Sequence, residues 1–373
     1  MKKLKALKAV ILSIFIIGLS LSLSGCVGTV IAYKLWYEFL DTRGLDFYDD
    51  QQIEKIYPYG DQLYLVTDDG NCYITGGNKK SQSREYQNAK QRINLKLGIP
   101  APVLFHEGGV KEIIPYADLS ALFITDGGDL YSLEDLRVTK IKSGVISAAR
   151  GSSDGRIYFV DSSNSLYAQK GNRQSFLVDD VRSVRVFGER IFVLTTGNLL
   201  AEIKFNAHGV AFLSSAIFEN VKSFDIPVSP TGESSGVLIN VLTNDGKLYT
   251  NGAYSRPDQA REKTGGTNPD EEWKLIAGRV ASFDTAIMGT VLIFEDGSAS
   301  YYGFDTLEGG EDKFGYKLIF GDGISYVAAS DNHVMIKRDN AWYFWGSESS
   351  LHFVLNNDDH RVLSDAPHVM EVE

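Results

Sequence analysis

Residues 324–347 read ISYVAASDNHVMIKRDNAWYFWGS. Ile324 opens a short apolar run, and two further runs, Val334–Ile336 and Ala341–Trp345, flank a turn at Asp339 and Asn340. Apolar runs joined by a tight turn whose residue tolerates positive φ predict a β-hairpin. The same order of parts recurs at 63–77 (LYLVTDDGNCYITGG), 121–134 (ALFITDGGDLYSLE), 157–172 (IYFVDSSNSLYAQKGN), 191–203 (IFVLTTGNLLAEI), 238–252 (LINVLTNDGKLYTNG) and 291–303 (VLIFEDGSASYYG).

The turns centre on Gly70, Gly128, Asn164, Gly197, Gly246, Gly297 and Asn340, spaced 58, 36, 33, 49, 51 and 43 residues apart. An aliphatic landmark precedes each one and opens another short strand: Ile53, Val110, Val145, Val181, Val221, Val280 and Ile324. From landmark to turn the distances are 17, 18, 19, 16, 25, 17 and 16, and the outlier holds the insertion PVSPTGESSG. A constant interior with variable gaps is a fixed unit joined by tolerant loops. Three or four short strands per unit at this period are the signature of a propeller blade, so the fold class expected is all-β, a seven-bladed β-propeller over 51–373.

The last unit carries a finer pattern. Val327, Ala328, Ala329, His333, Asp339, Tyr343, Trp345 and Gly346 match residue types of the motif V-x-x-V-A-A-G-x-x-H-x-x-x-L-x-x-D-G-x-V-Y-x-W-G, with one residue fewer between His and Asp and with Ser330 and Asn340 standing for its glycines. The unit thus resembles the regulator of chromosome condensation repeat family, and LGIPAPVL at 97–104 resembles that family's linking phrase. The resemblance is strong in one unit and degenerate in six, and it implies a seven-bladed propeller. The terminal APHVMEVE (366–373) looks like the start of an eighth unit without a hairpin, and is expected to pair into the first blade and close the ring. Closure removes free sheet edges. The WD signature is missing, and the glycine pairs do not recur at one place in the unit as kelch pairs do.

Ahead of the repeats, Lys2, Lys3, Lys5 and Lys8 precede an uncharged stretch from Ala9 to Leu23, the pattern of an export signal. SLSGCVG (22–28) follows, and its LSGC resembles the lipobox of bacterial lipoprotein precursors. That resemblance implies cleavage before Cys26 and lipid attachment to its thiol, with 1–25 as signal peptide. Each buried acyl methylene contributes about 0.8 kcal/mol, so two or more palmitate-like chains make a durable membrane anchor. The competing reading is an uncleaved membrane helix over Ala9–Tyr33. Both readings put the rest of the chain outside the cytoplasm, in the cell envelope, and Val27 after the cysteine fits outer-membrane sorting where an outer membrane exists. Residues 26–50 form a membrane-proximal anchor segment, in which Val30, Ile31, Leu35, Trp36, Phe39 and Leu40 line one face of an expected short helix.

The chain has 37 basic and 48 acidic residues, a formal charge of −11 that becomes −15 without the four signal lysines. Such a balance repels phosphate backbones and argues against nucleic acid as a partner. With Cys26 acylated, Cys72 has no disulfide partner and is expected to be a small buried hydrophobe.

No catalytic constellation emerges. His106, His208, His333, His352, His360 and His368 are nowhere three to five residues apart, and there is no Gly-x-Ser-x-Gly elbow, phosphate loop or calcium loop. No cofactor and no metal are expected. His333, Tyr343 and Trp345 are read as blade-packing residues, and Asp68-Asp69 and Asp358-Asp359 as solvated turns. Two insertions, 78–109 and 253–279, are long for loops on a regular scaffold.

The function expected is a lipid-anchored, non-catalytic scaffold that binds an envelope protein. A narrower variant follows from resemblance to the secreted propeller of this repeat family that inhibits β-lactamases by covering their active site. The alternative is an envelope glycan-binding protein, or a glycan-acting enzyme, with its site at the propeller mouth. Trp273, Tyr301, Tyr302 and the paired acids supply suitable residue types. Convergence of two carboxylates across a central pocket would favour it.

Overall fold

The computed structural model describes residues 52–59, 62–76, 102–117, 119–151, 155–227, 238–251, 273–286, 289–304, 314–330, 333–338 and 341–346. The signal, Cys26, the anchor segment 26–50, the pair Asp358-Asp359 and the terminal APHVMEVE lie outside them.

Every described element is a strand or a turn, and the strands form seven antiparallel sheets. The first contains β1 (Ile53–Tyr59), β2 (Gln62–Thr67), β3 (Cys72–Gly76) and β4 (Val103–His106). The second contains β5 (Val110–Ala117), β6 (Ser120–Thr125), β7 (Leu130–Glu134) and β8 (Arg137–Lys142), and the third β9 (Val145–Arg150), β10 (Ile157–Asp161), β11 (Leu166–Lys170) and β12 (Arg173–Val178). The fourth holds β13 (Val181–Phe187), β14 (Arg190–Thr195), β15 (Leu200–Phe205) and β16 (Ala211–Leu213), and the fifth β17 (Val221–Asp225), β18 (Ile239–Thr243), β19 (Leu248–Asn251) and β20 (Lys274–Ala277). The sixth holds β21 (Val280–Thr285), β22 (Gly289–Phe294), β23 (Ala299–Phe304) and β24 (Phe314–Phe320). The seventh shows β25 (Ile324–Ser330), β26 (His333–Arg338) and β27 (Ala341–Gly346) among the described residues. Within each sheet the order follows the chain.

The second strand of each sheet is apolar through most of its length, on both faces, because both of its faces are covered. In β6, Ala121 and Phe123 pack toward the first sheet while Leu122 and Ile124 pack toward the third. The same alternation holds in β14, where Ile191 and Val193 meet the third sheet and Phe192 and Leu194 the fifth. The core is therefore seven apolar layers, each shared by two neighbouring sheets. The layer between the seventh and first sheets contains Ala328, Met335 and Trp342 against Ile53, Ile56, Leu63 and Leu65. Trp342 Nε1 donates to the Ile53 carbonyl at 3.1 Å and the Tyr326 hydroxyl to the Ile56 carbonyl at 2.9 Å. The ring closes, and the molecule is a seven-bladed β-propeller.

Both landmarks in the sequence have a structural cause. All seven aliphatic landmarks open the innermost strand of a blade and pack on the preceding blade. The amides of Val145, Val181, Val221, Val280 and Ile324 donate to the carbonyls of Gly128, Asn164, Asn198, Gly246 and Gly297, the turn residues of the blade before, at 2.8–3.1 Å. A turn residue at positive φ aims its carbonyl across the gap. In the fourth blade this residue is Asn198 (φ 64), one position after the expected Gly197, since Asn also tolerates that region.

Beside each landmark the pairing slips by one residue, a β-bulge repeated in all seven blades. A bulge leaves one residue outside the ladder. Long cations at these positions satisfy the next blade's freed carbonyls: Lys111 reaches Ile146 at 3.1 Å, Arg182 reaches Lys222 at 2.9 Å and Lys222 reaches Ala281 at 3.1 Å.

Two expectations need correction. The insertions at 78–109 and 253–279 are not loops throughout, because each ends in the outermost strand of its blade, β4 and β20. Those strands lie at the outer edge of their blades, where Val103, Leu104 and Leu275 stay exposed, and they are too short and weakly patterned to stand out.

Candidate functional site

The innermost strands surround a cavity of about 480 Å³ on the propeller axis. Six of them, β1, β5, β13, β17, β21 and β25, supply its wall. The third blade contributes none of it: its inner strand carries Ser147, Ala148 and Ala149, all small and buried. That recess lets Arg185 of the fourth blade reach the second. Its Nη2 donates to Glu112 Oε1 at 3.0 Å, its Nε to Asp225 Oδ1 at 3.4 Å and its Nη1 to the Val184 carbonyl at 3.1 Å. One guanidinium thus ties three blades together around the axis. Side-chain exposures of 24–26% for Arg185, Glu112 and Asp225 show that the cluster still meets cavity solvent.

Asp284 of β21 is the third carboxyl. Its Oδ2 accepts from the Ala329 amide at 2.6 Å, and no ion pair joins it among the described residues. Burial and the neighbouring Asp225 charge push its pKa up to about 7, against the opposing pull of backbone amides and Arg185. Asp225 is likewise raised, by burial first and by Glu112 further down, although Arg185 pulls the other way. Burial disfavours the Arg185 charge, but Glu112 and Asp225 outweigh it and hold the guanidinium above its ordinary value. Tyr57 and Tyr326 are raised by burial, and then by Glu112 and by Tyr57 respectively, with Asp284 adding to both. Every acidic group with a resolved shift here titrates late. The environment resists further negative charge.

None of these residues stands out in the sequence one at a time. They surface only when the seven units are aligned on their landmarks: the fourth residue after the landmark is Tyr57, Ile114, Ala149, Arg185, Asp225, Asp284 and Ala328. Three consecutive blades place an ionisable group there, on the side facing the axis.

The residues singled out from sequence lie elsewhere. Tyr301 and Tyr302 are buried between blades, and Trp273 packs edge-on against Phe218 with centroids 4.7 Å apart. Asp69 caps its own turn, accepting from Thr67 Oγ1 at 2.5 Å and from the Asn71 amide at 3.1 Å; these hydrogen bonds lower its pKa, and both Asp68 and Asp69 are exposed as expected. Cys72 is fully buried, and burial pushes its thiol up to about 12, so it is an inert hydrophobe. His106 packs against Phe123 and Tyr131, and burial lowers its pKa. Tyr343 packs against the layer between the sixth and seventh blades. The side chains of His333 and Trp345 fall outside the description. Among the described residues no three His, Cys, Asp or Glu side chains have metal-holding geometry.

No family model matches the chain, and no curated protein does. Solved structures do. Prp20p from Saccharomyces cerevisiae, studied with its binding to Gsp1p and histones, is similar at 13% identity with TM-score 0.54, over 80% of this chain and 84% of that one. Yeast RCC1 (Prp20) in a structure with bound Kap60 gives 13% identity and TM-score 0.53, over 80% and 81%. Human WBSCR16 gives 13% identity and TM-score 0.55, over 78% and 88%. At this identity the likeness shows a shared fold alone, that of the β-propeller.

Proposed function

We propose that the chain is a protein-binding propeller held on a cell-envelope membrane by lipid on Cys26, with the non-catalytic work of a scaffold. The observation that carries this reading is the closed ring itself: seven blades joined by seven apolar layers make a rigid platform, and its outer strands keep large apolar side chains in solvent. Phe176 and Phe212, 54% and 46% exposed, are such residues on the outermost strands of the third and fourth blades, and Phe205 and Val210, 49% and 58% exposed, belong to the fourth. One similar propeller, yeast Prp20 (RCC1), binds proteins: Gsp1p and histones, and Kap60 in a second structure.

The anchor rests on LSGC and the segment around it. Labelled palmitate should enter the wild-type chain and not Cys26→Ser, which should leave the membrane fraction. Crosslinking in intact envelopes followed by capture of the chain should recover a partner that is lost from Cys26→Ser and from Phe176→Ser/Phe212→Ser. Failure to recover any protein above the Cys26→Ser background would refute the scaffold reading.

A second reading, a glycan or other ligand site on the axis, is favoured by one observation: Glu112, Asp225 and Asp284 converge on the cavity. Two of these carboxylates are already committed to Arg185, which leaves Asp284 without a free partner for paired acid-base work.

A further inference from the structure

The hydrogen-bond inventory of the axial cavity is one-sided. Tyr57 spends its proton on the Lys111 carbonyl at 3.3 Å and Tyr326 on the Ile56 carbonyl at 2.9 Å, so both phenols offer the cavity lone pairs and ring faces. Ser325 Oγ donates to the Lys337 carbonyl at 3.2 Å. Three of the five Arg185 N–H donors are engaged, one on each nitrogen. Acceptors remain, on Asp225, Asp284 and the two phenol oxygens.

The charges are one-sided too. Glu112, Asp225 and Asp284 line the wall with only Lys55 and Arg185 against them. Among the described residues Lys55 forms no ion pair with Asp225 or Asp284. A site with spare acceptors, aromatic faces and one uncompensated carboxylate complements a donor that carries a single positive charge. Groups that cost the fold stability in this way gather at binding sites.

From this geometry we infer that the axial cavity binds an organic ammonium group, seated against Asp284 and Asp225 with Tyr57 and Tyr326 around it. The inference rests on the reading that the cavity holds a ligand, and it names that ligand's class. A free amine and a lysine side chain of a partner protein share the required chemistry. Its volume lies within the range of small-molecule sites. Because the ammonium competes with the Asp284 proton, binding strengthens as pH rises through about 7. The other titratable groups that line the cavity beside Asp284 are Lys55, Tyr57, Tyr59, Glu112, Arg185, Asp225 and Tyr326.

The test is calorimetric titration of the purified full-length chain with 1,5-diaminopentane, a lysine-containing peptide, 1,5-pentanediol and a neutral chitin-type oligosaccharide. Diaminopentane should bind, pentanediol should not, and the dissociation constant should fall about tenfold from pH 6 to pH 8, the change expected for displacement of one proton from a group near pH 7. Asp284→Asn should abolish this pH dependence and weaken binding at pH 8 at least tenfold; the wild-type pH series stands even if that variant folds poorly. Binding of the peptide but not of free diamine would assign the ammonium to a partner's lysine. Equal binding of the diol, or binding indifferent to pH, overturns the inference. Oligosaccharide binding without any amine binding also overturns it while sparing the ligand-site reading, and no binding at all removes both.

Discussion

Trp342 reports whether the ring is closed by side chains of the seventh and first blades. It is 3% exposed, its Nε1 donates to the Ile53 carbonyl at 3.1 Å, and it meets Tyr326 edge-on at 5.7 Å between centroids. Trp342→Phe removes the hydrogen bond, about 1 kcal/mol, and leaves a void where the second ring was, about another 1–1.5 kcal/mol. The expected loss is about 2–2.5 kcal/mol, rising to about 3–5 kcal/mol for Trp342→Ala. Urea unfolding of the full-length chain measures it, with Phe176→Ser as a control on an exposed outer strand that should move stability by about 0.5 kcal/mol or less. In a closed ring each blade has two neighbours, so the loss should shift one common transition. In an open array it would release the terminal blade ahead of the rest. A cost below about 0.5 kcal/mol for Trp342→Phe, or an early partial transition already present in the wild type, would refute closure through this layer.

Arg185→Met should cost about 2–4 kcal/mol at pH 8, because Glu112 and Asp225 lose their countercharge, and less in acid, because burial holds the Asp225 pKa above its ordinary value and helps that carboxyl to neutralise; unfolding at two pH values measures the difference. Asp284 holds its proton more tightly folded, at about 7, than in the unfolded chain, at about 3.9. Its contribution to stability is therefore fully present below pH 4 and is lost as pH rises to about 7, so Asp284→Asn should be more stable than wild type at pH 8 by about 1–3 kcal/mol, after allowing for cavity solvent, and gain little at pH 4. Gly70→Ala should cost about 1–3 kcal/mol in the same assay, since φ is 82° and the new Cβ would lie 2.9 Å from the Gly109 amide nitrogen.

The blades are legible in the sequence because packing and hydrogen bonding constrain the same positions seven times. Val145 and its counterparts must be aliphatic to fill the layer behind them, and Gly128 and its counterparts must accept positive φ to reach the next blade's amide. Outer strands are less legible, because β4 and β20 lie at the outer edge of their blades and follow long insertions. The axial site is least legible, for the opposite reason to the blades. The position four residues beyond the landmark has no common role: it packs between blades as Ala149 and Ala328, and faces the cavity as Arg185, Asp225 and Asp284. Repetition records what every blade needs in order to stack, and a ligand that lies on the axis touches each blade differently. In such a ring, chemistry is to be sought where aligned units depart from one another on the inward face, and Arg185, Asp225 and Asp284 are the consecutive inward departures that carry charge.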